Sequence, residues 1–123
     1  MTDAELLARA DAIAVRAYAP YSRFHVGCAL LMRDGKVIEG VNVENAAYPL
    51  GVCAERVACS RAVVEGYGPG DFAVAAITAS PCGGCRQWLA EMGVERVVFR
   101  NGGRVVTMTV DELLPEQFDS SSL

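Results

Sequence analysis

Lysine is nearly missing from this chain of 123 residues. Lys36 is the single example among 11 basic residues, and 15 acids outnumber them to give a net charge of −4. A protein that tracks nucleic acid clusters cations to neutralise phosphates. Here the few cations are spread along the chain, so the balance excludes a polyanionic partner and favours a small uncharged one. Histidine is equally scarce. The lone His25, at the start of an apolar run, reads as exposed rather than as a metal ligand. Long uncharged apolar runs are also lacking. Asp3, Glu5, Arg9, Asp11 and Arg16 interrupt the N-terminal stretch, which therefore predicts neither a secretory leader nor a membrane span. An even cysteine count is missing too: five cysteines exclude a complete disulfide framework, and free thiols predict a reducing, cytoplasmic setting. There is no internal repeat and no low-complexity linker.

What is present predicts one domain over residues 1–123. Hydrophobic residues make up 52%, slightly above the roughly 45–50% of ordinary soluble domains, which favours a buried subunit interface. Thr2-x-x-Glu5 opens a helix to about Tyr18, with apolar residues at Leu6, Ala10, Ile13 and Ala17 on one face and Pro20 beyond it. Val26–Arg33 and Lys36–Glu44 read as strands around a two-residue Asp34-Gly35 turn. A helix follows from about Cys53 to Glu65, closed by Gly66, and then a short strand, Phe72–Thr78. Ser80-Pro81 supplies the expected N-cap and first-turn proline of a helix ending at Gly93. Val94–Arg100 and Arg104–Met108 are further strands, and Thr109-x-x-Glu112 caps a last short helix before Pro115. The tail from Asp119 is expected to fray. The order α-β-β-α-β-α-β-β-α implies a mixed sheet with helices on both faces, an α/β class.

The chemistry concentrates in Cys53-Ala54-Glu55-Arg56 and Pro81-Cys82-Gly83-Gly84-Cys85. Three thiols can hold a zinc ion and leave its fourth tetrahedral position for water, where a structural zinc site would close with four ligands. A ligand-x-Glu segment followed by Pro-Cys-x-x-Cys is the signature of zinc-dependent base deaminases. Glu55, two residues after the first ligand, is placed to shuttle protons. Cys82 and Cys85, at i and i+3, lie side by side at a helix start. Cys53 and Glu55 converge with them only if a second helix N-terminus also points at the metal. Such an arrangement offsets the excess negative charge of a trithiolate site, and Arg56 is placed to add electrostatic support. The Cys82-x-x-Cys85 spacing is also that of a redox pair. Against that stand a third thiol with its own acid neighbour and a Ser-Pro lead-in. Cys28 and Cys59 read as small core fillers. Asn42 and Glu44, two apart at a strand end, face one side and form a pair that can grip vicinal hydroxyls, although solvated strand-end polar groups have the same spacing.

At these residues the sequence resembles the homotetrameric zinc-dependent cytidine deaminase family. The resemblance is carried by Pro20-Tyr21-Ser22-Arg23-Phe24-His25-Val26-Gly27, Gly40-Val41-Asn42-Val43-Glu44-Asn45-Ala46, Tyr48 to Arg56, Ser80 to Gln87 and Glu112-Leu113-Leu114-Pro115, in order along nearly the whole chain. It implies a three-layer α/β/α fold on a mixed five-stranded sheet and one Zn2+ per subunit on Cys53, Cys82 and Cys85. Glu55 would be the proton shuttle, Phe24 would stack near the base, and Asn42 and Glu44 would hold the sugar. The backbone at Ala54 and Ser80 would contact the ring, and Phe118 would reach a neighbouring subunit's pocket. The implied activity is hydrolytic deamination of cytidine and 2′-deoxycytidine in pyrimidine salvage, by a cytoplasmic homotetramer. The rival readings are a deaminase of another cytosine-containing small molecule, such as a nucleoside antibiotic, and a non-catalytic zinc module that binds a partner. Two departures stand out. Only Ala79 separates Thr78 from Ser80, a short connection that bears on the pocket rim and substrate breadth, and Cys28 replaces a smaller strand residue.

Overall fold

A computed structural model describes all 123 residues. The Thr2 hydroxyl accepts from Glu5 N at 3.1 Å and starts helix α1, Asp3–Ala14. The helix stops four residues before Tyr18. Arg16 and Ala17 tighten its end with i→i−3 bonds, and Tyr18 turns away to pair with the chain around residue 43, donating to Asn42 O and accepting from Glu44 N. Tertiary pairing thus overrides the helical periodicity.

Strands β1 (Gly27–Met32) and β2 (Val37–Val41) form the expected hairpin, but with three residues, 33–35, between the hydrogen-bonded pair Met32 and Lys36. Met32 N donates to Lys36 O and Gly35 N to Met32 O, and Gly35 takes φ +93°. This is a type I turn closed by a left-handed glycine rather than a two-residue turn. β2 ends before Asn42; Val43 continues in extended bridges to Tyr18 and Val52.

Helix α2, Ala54–Val64, leads to β3, Phe72–Ile77; helix α3, Gly83–Glu91, leads to β4, Arg96–Asn101. β5, Arg104–Thr109, follows, and a Thr109–Glu112 capping box starts the short helix α4, Val110–Leu113. The sheet order is β2-β1-β3-β4-β5, with β3 and β4 parallel and every other pair antiparallel. The tail forms a single 3-10 turn, Ser120–Ser122, capped by the Asp119 carboxylate, instead of fraying.

One face of the sheet is covered by α1 through Leu6, Leu7 and Ala10 against Ala29, Val74, Ala76 and Val98. The other carries the larger core, where α2, α3 and α4 pack on Leu30, Ile77 and Val97. β3 is apolar almost throughout because it is buried on both faces. The three-layer architecture on a five-stranded mixed sheet is therefore the one expected. Cys28 and Cys59 are fully buried core residues, and His25 is exposed. Gly40 lets α2 press onto β2, since a Cβ there would stand 2.6 Å from Ala54 O and 2.5 Å from Ala58 N. That contact sets the height of the α2 N-terminus. No helix is long and apolar enough to cross a membrane.

Candidate metal centre and pocket

Two helix starts meet here. Cys53 is the N-cap of α2 and Cys82 the N-cap of α3, with Cys85 in the first turn of α3. The helix begins two residues later than Ser80-Pro81 suggests, because the Cys82 sulfur itself caps it, accepting from Cys85 N at 3.4 Å. The three Sγ atoms lie within 4.8 Å of one another. Tetrahedral zinc at about 2.3 Å from each sulfur separates thiolates by about 3.8 Å, so the triad fits this ion. Both helix N-termini aim positive dipole ends at the sulfurs.

The thiols have uneven surroundings. Burial, reinforced by the Glu55 charge, pushes Cys85 far above the ordinary thiol range. Burial also raises Cys53. Cys82 feels burial as well, but the Cys85 backbone N–H and the neighbouring Cys85 and Cys53 thiols outweigh it and hold Cys82 below its ordinary value. Three adjacent sulfurs of this kind ionise together only when a cation replaces their protons.

Glu55, in the first turn of α2, is the one buried charged residue, 4% exposed. Burial raises its pKa, while its own backbone N–H, the Cys85 thiol and the Arg56 charge pull it partly back. Arg56 extends over the start of α3. A Cβ on Gly84 would meet Arg56 Nη2 at 2.8 Å and Cys82 Sγ at 4.0 Å, so guanidinium and sulfur flank the same glycine. Arg56 Nε is buried without a hydrogen-bond partner, and an unpaired buried cationic donor on the Cys82 side of the cluster suits anionic sulfurs.

A cavity of about 200 Å³ opens onto this centre, lined by Phe24, Val26, Asn42, Cys53, Ala54, Glu55, Ala79, Ser80 and Cys82. Phe24 stands at its edge, 62% exposed. Asn42 is committed to the backbone opposite, with Oδ1 accepting from Val26 N and Nδ2 donating to Phe24 O, both at 2.8 Å. Of the residues expected at the site, Glu44, Phe118, Arg56 and Cys85 are not on this wall, the last being buried within the sulfur cluster. Glu44 lines a second depression with Tyr21, Ser22, Asn45, Tyr48 and Gly51. Its carboxylate accepts from the Ser22 hydroxyl, which does most to hold its pKa down, and from the Ser22 and Tyr21 amides at 3.1 and 3.0 Å. That depression is larger, about 360 Å³, but holds no thiol, so the smaller cavity is where chemistry is possible. Phe118 is 59% exposed, and its carbonyl accepts from Gln87 Nε2 at 2.7 Å. Val26, a plain apolar residue with no chemical signal in the sequence, belongs to the wall without having been singled out, and Ala79 of the short connection lies on the wall as well.

Residues 1–101 match the family described as the cytidine and deoxycytidylate deaminase zinc-binding region. The chain belongs to this family. Among curated deaminases of the family, the cytidine deaminase of Halalkalibacterium halodurans is 46% identical over 116 residues, 87% of this chain and 86% of that protein. The cytidine deaminase of Sporosarcina psychrophila is 41% identical, covering 97% and 93%. The crystal structure of cytidine deaminase from Burkholderia pseudomallei superposes with a TM-score of 0.90 at 45% identity, covering 96% of this chain and all of that one. This deaminase chain is thus a zinc-dependent enzyme, and the three-cysteine cluster described above is suited to hold such an ion.

Proposed function

We propose that the protein, acting as a single domain over residues 1–123, hydrolyses cytidine and 2′-deoxycytidine to uridine and 2′-deoxyuridine with release of ammonia. The observation that carries this reading is a buried carboxylate, Glu55, set beside a trithiolate cluster on the wall of a cavity sized for a small ligand. Cys53, Cys82 and Cys85 would hold one zinc ion per subunit, which supplies the Lewis acidity that makes a water acidic near neutrality.

The chain's own residues supply the rest. Glu55 takes a proton from the attacking water and gives it to the ring nitrogen beside C4. It then takes the second proton of that water from the new C4 hydroxyl and delivers it to the departing amine, so that the oxygen becomes the product carbonyl and ammonia leaves. Its burial, which raises the pKa toward the working range, supports both transfers. Arg56 offsets thiolate charge. Phe24 stacks on the base, the backbone at Ala54 and Ser80 meets the ring, and Asn42 and Glu44 hold the sugar. Asn42 does so while fixing the Phe24–Val26 backbone, and Glu44 through the far side of the Tyr21–Ser22 turn.

We further infer a homotetramer in the cytoplasm. Exposed Tyr48, Leu50 and Val64 offer apolar surface for subunit contact, and Phe118, which is not on its own chain's cavity wall, would complete a neighbour's pocket.

An ultraviolet assay of cytidine conversion tests the reading. Turnover should be present in the purified protein, vanish on treatment with a chelator and return when zinc is restored. Zinc-loaded protein that leaves both nucleosides intact would end the proposal.

A further inference from the structure

The segment joining β3 to α3 carries Ser80 on the cavity wall and delivers Cys82 to the metal cluster. Residues 79 to 81 nevertheless make no backbone-to-backbone hydrogen bond. Every hydrogen bond they receive comes from one side chain on the next helix. Arg86 Nε donates to Pro81 O at 3.0 Å and Nη2 makes a weaker contact to Ser80 Oγ at 3.5 Å. Nη1 donates to Leu113 O at 3.0 Å, at the end of α4. The guanidinium plane therefore spans from the pocket wall to the last helix, with an acceptor for each of its three nitrogens.

We propose that Arg86 is a positioning residue for the deamination, fixing the Ser80–Pro81 wall at the distance that encloses the base. The proposal rests on the functional reading above. Burying or immobilising two carbonyls without donors is unfavourable, and Arg86 supplies a donor to both. A planar fork holds three acceptors in one geometry; a lysine ammonium would hold them only as a point charge on a flexible stem. The metal ligands do not depend on this fork. Cys82 is tied separately, through Cys85 N to its sulfur and Arg86 N to its carbonyl, and Cys53 and Glu55 ride on α2. Loss of the guanidinium should therefore loosen substrate binding while leaving the metal and the proton shuttle in place.

Arg86→Gln and Arg86→Lys, each loaded with zinc, test this by steady-state kinetics on cytidine together with metal analysis. For Arg86→Gln the KM should rise about tenfold while kcat stays within about threefold and zinc stays at one per chain. Arg86→Lys should keep most of that rise. A merely structural arginine would lower zinc occupancy or active fraction and kcat with KM unchanged, and either result overturns the proposal. So does a normal KM in either variant. Should Arg86→Gln fail to fold, Arg86→Lys decides alone. A crystal structure of each zinc-loaded variant adds a readout independent of turnover. The Ser80–Pro81 segment should be displaced or poorly ordered, with β1 unchanged, and a segment left in place overturns the role. Wild-type protein that does not convert cytidine would refute the functional reading instead, and the variant structures would still judge the clamp.

Discussion

The two halves of the pocket are built by different means. On the metal side, Cys53, Glu55, Cys82 and Cys85 all sit at N-caps or in first turns of two helices, whose positions are set by the sheet beneath. On the ligand side, Phe24, Asn42 and Ser80 sit on irregular chain, held by side chain–backbone bonds from Asn42, Ser22 and Arg86. Helix starts give the reacting groups fixed directions. The other wall is a set of tied loops, where a single side chain controls several backbone atoms. Changes on the first side should therefore act on kcat, and changes on the second on KM.

The sharpest break should come from Glu55→Gln, which keeps shape and zinc but removes the proton carrier. We expect kcat to fall by about three orders of magnitude, checked by turnover alongside metal content; retention of activity would remove Glu55 from the reaction. Next comes Asn42→Ala on the opposite wall. It frees Val26 N and Phe24 O together, and KM should rise roughly 10- to 100-fold with a much smaller change in kcat. An equal fall in kcat would erase the contrast between the halves.

Arg56→Gln lies on the metal side without being a ligand. About a tenfold loss in kcat with zinc retained is expected, and unaltered kinetics would show that its charge is not felt. The smallest effect lies far from either wall. Asp3 pairs with Arg96 at 2.8 Å, and that hydrogen bond holds the Asp3 carboxyl below its ordinary value of 3.8 despite partial burial. A depressed folded-state pKa contributes stability above the unfolded value, lost as pH falls through the folded one. Asp3→Asn should therefore cost below about 1 kcal/mol at neutral pH, since the pair is solvent-screened, and in urea melts the deficit should start to shrink as pH falls through 3.8 and disappear only below the lower folded-state value.

The same contrast explains what could be read in the sequence. The metal half is local: Cys-Ala-Glu and Pro-Cys-Gly-Gly-Cys encode ligand spacing within single turns, and both helix N-termini are found at the cluster as expected. The element order and the three layers follow from short apolar runs and caps. Tertiary partners moved the boundaries. Tyr18 leaves its helix to pair with the chain around residue 43, Cys82 takes the cap from Ser80, and Gly35 enlarges the hairpin loop. The division of the ligand side into two depressions was not legible, because it depends on where the Tyr21–Ser22 turn folds back onto Glu44. Nor did any local pattern mark Arg86, whose partners lie at both ends of a distance of 33 residues, Ser80 to Leu113.

The scarcity of lysine has a practical side. Lys36 stands at the hairpin tip, bonded to Glu65 at 2.8 Å, whereas the cavity opens at the other end of β1, beside Val26. The six residues of that strand put about 20 Å between them along the sheet. Tethering or dye attachment through this side chain would orient each molecule with its mouth away from the point of linkage.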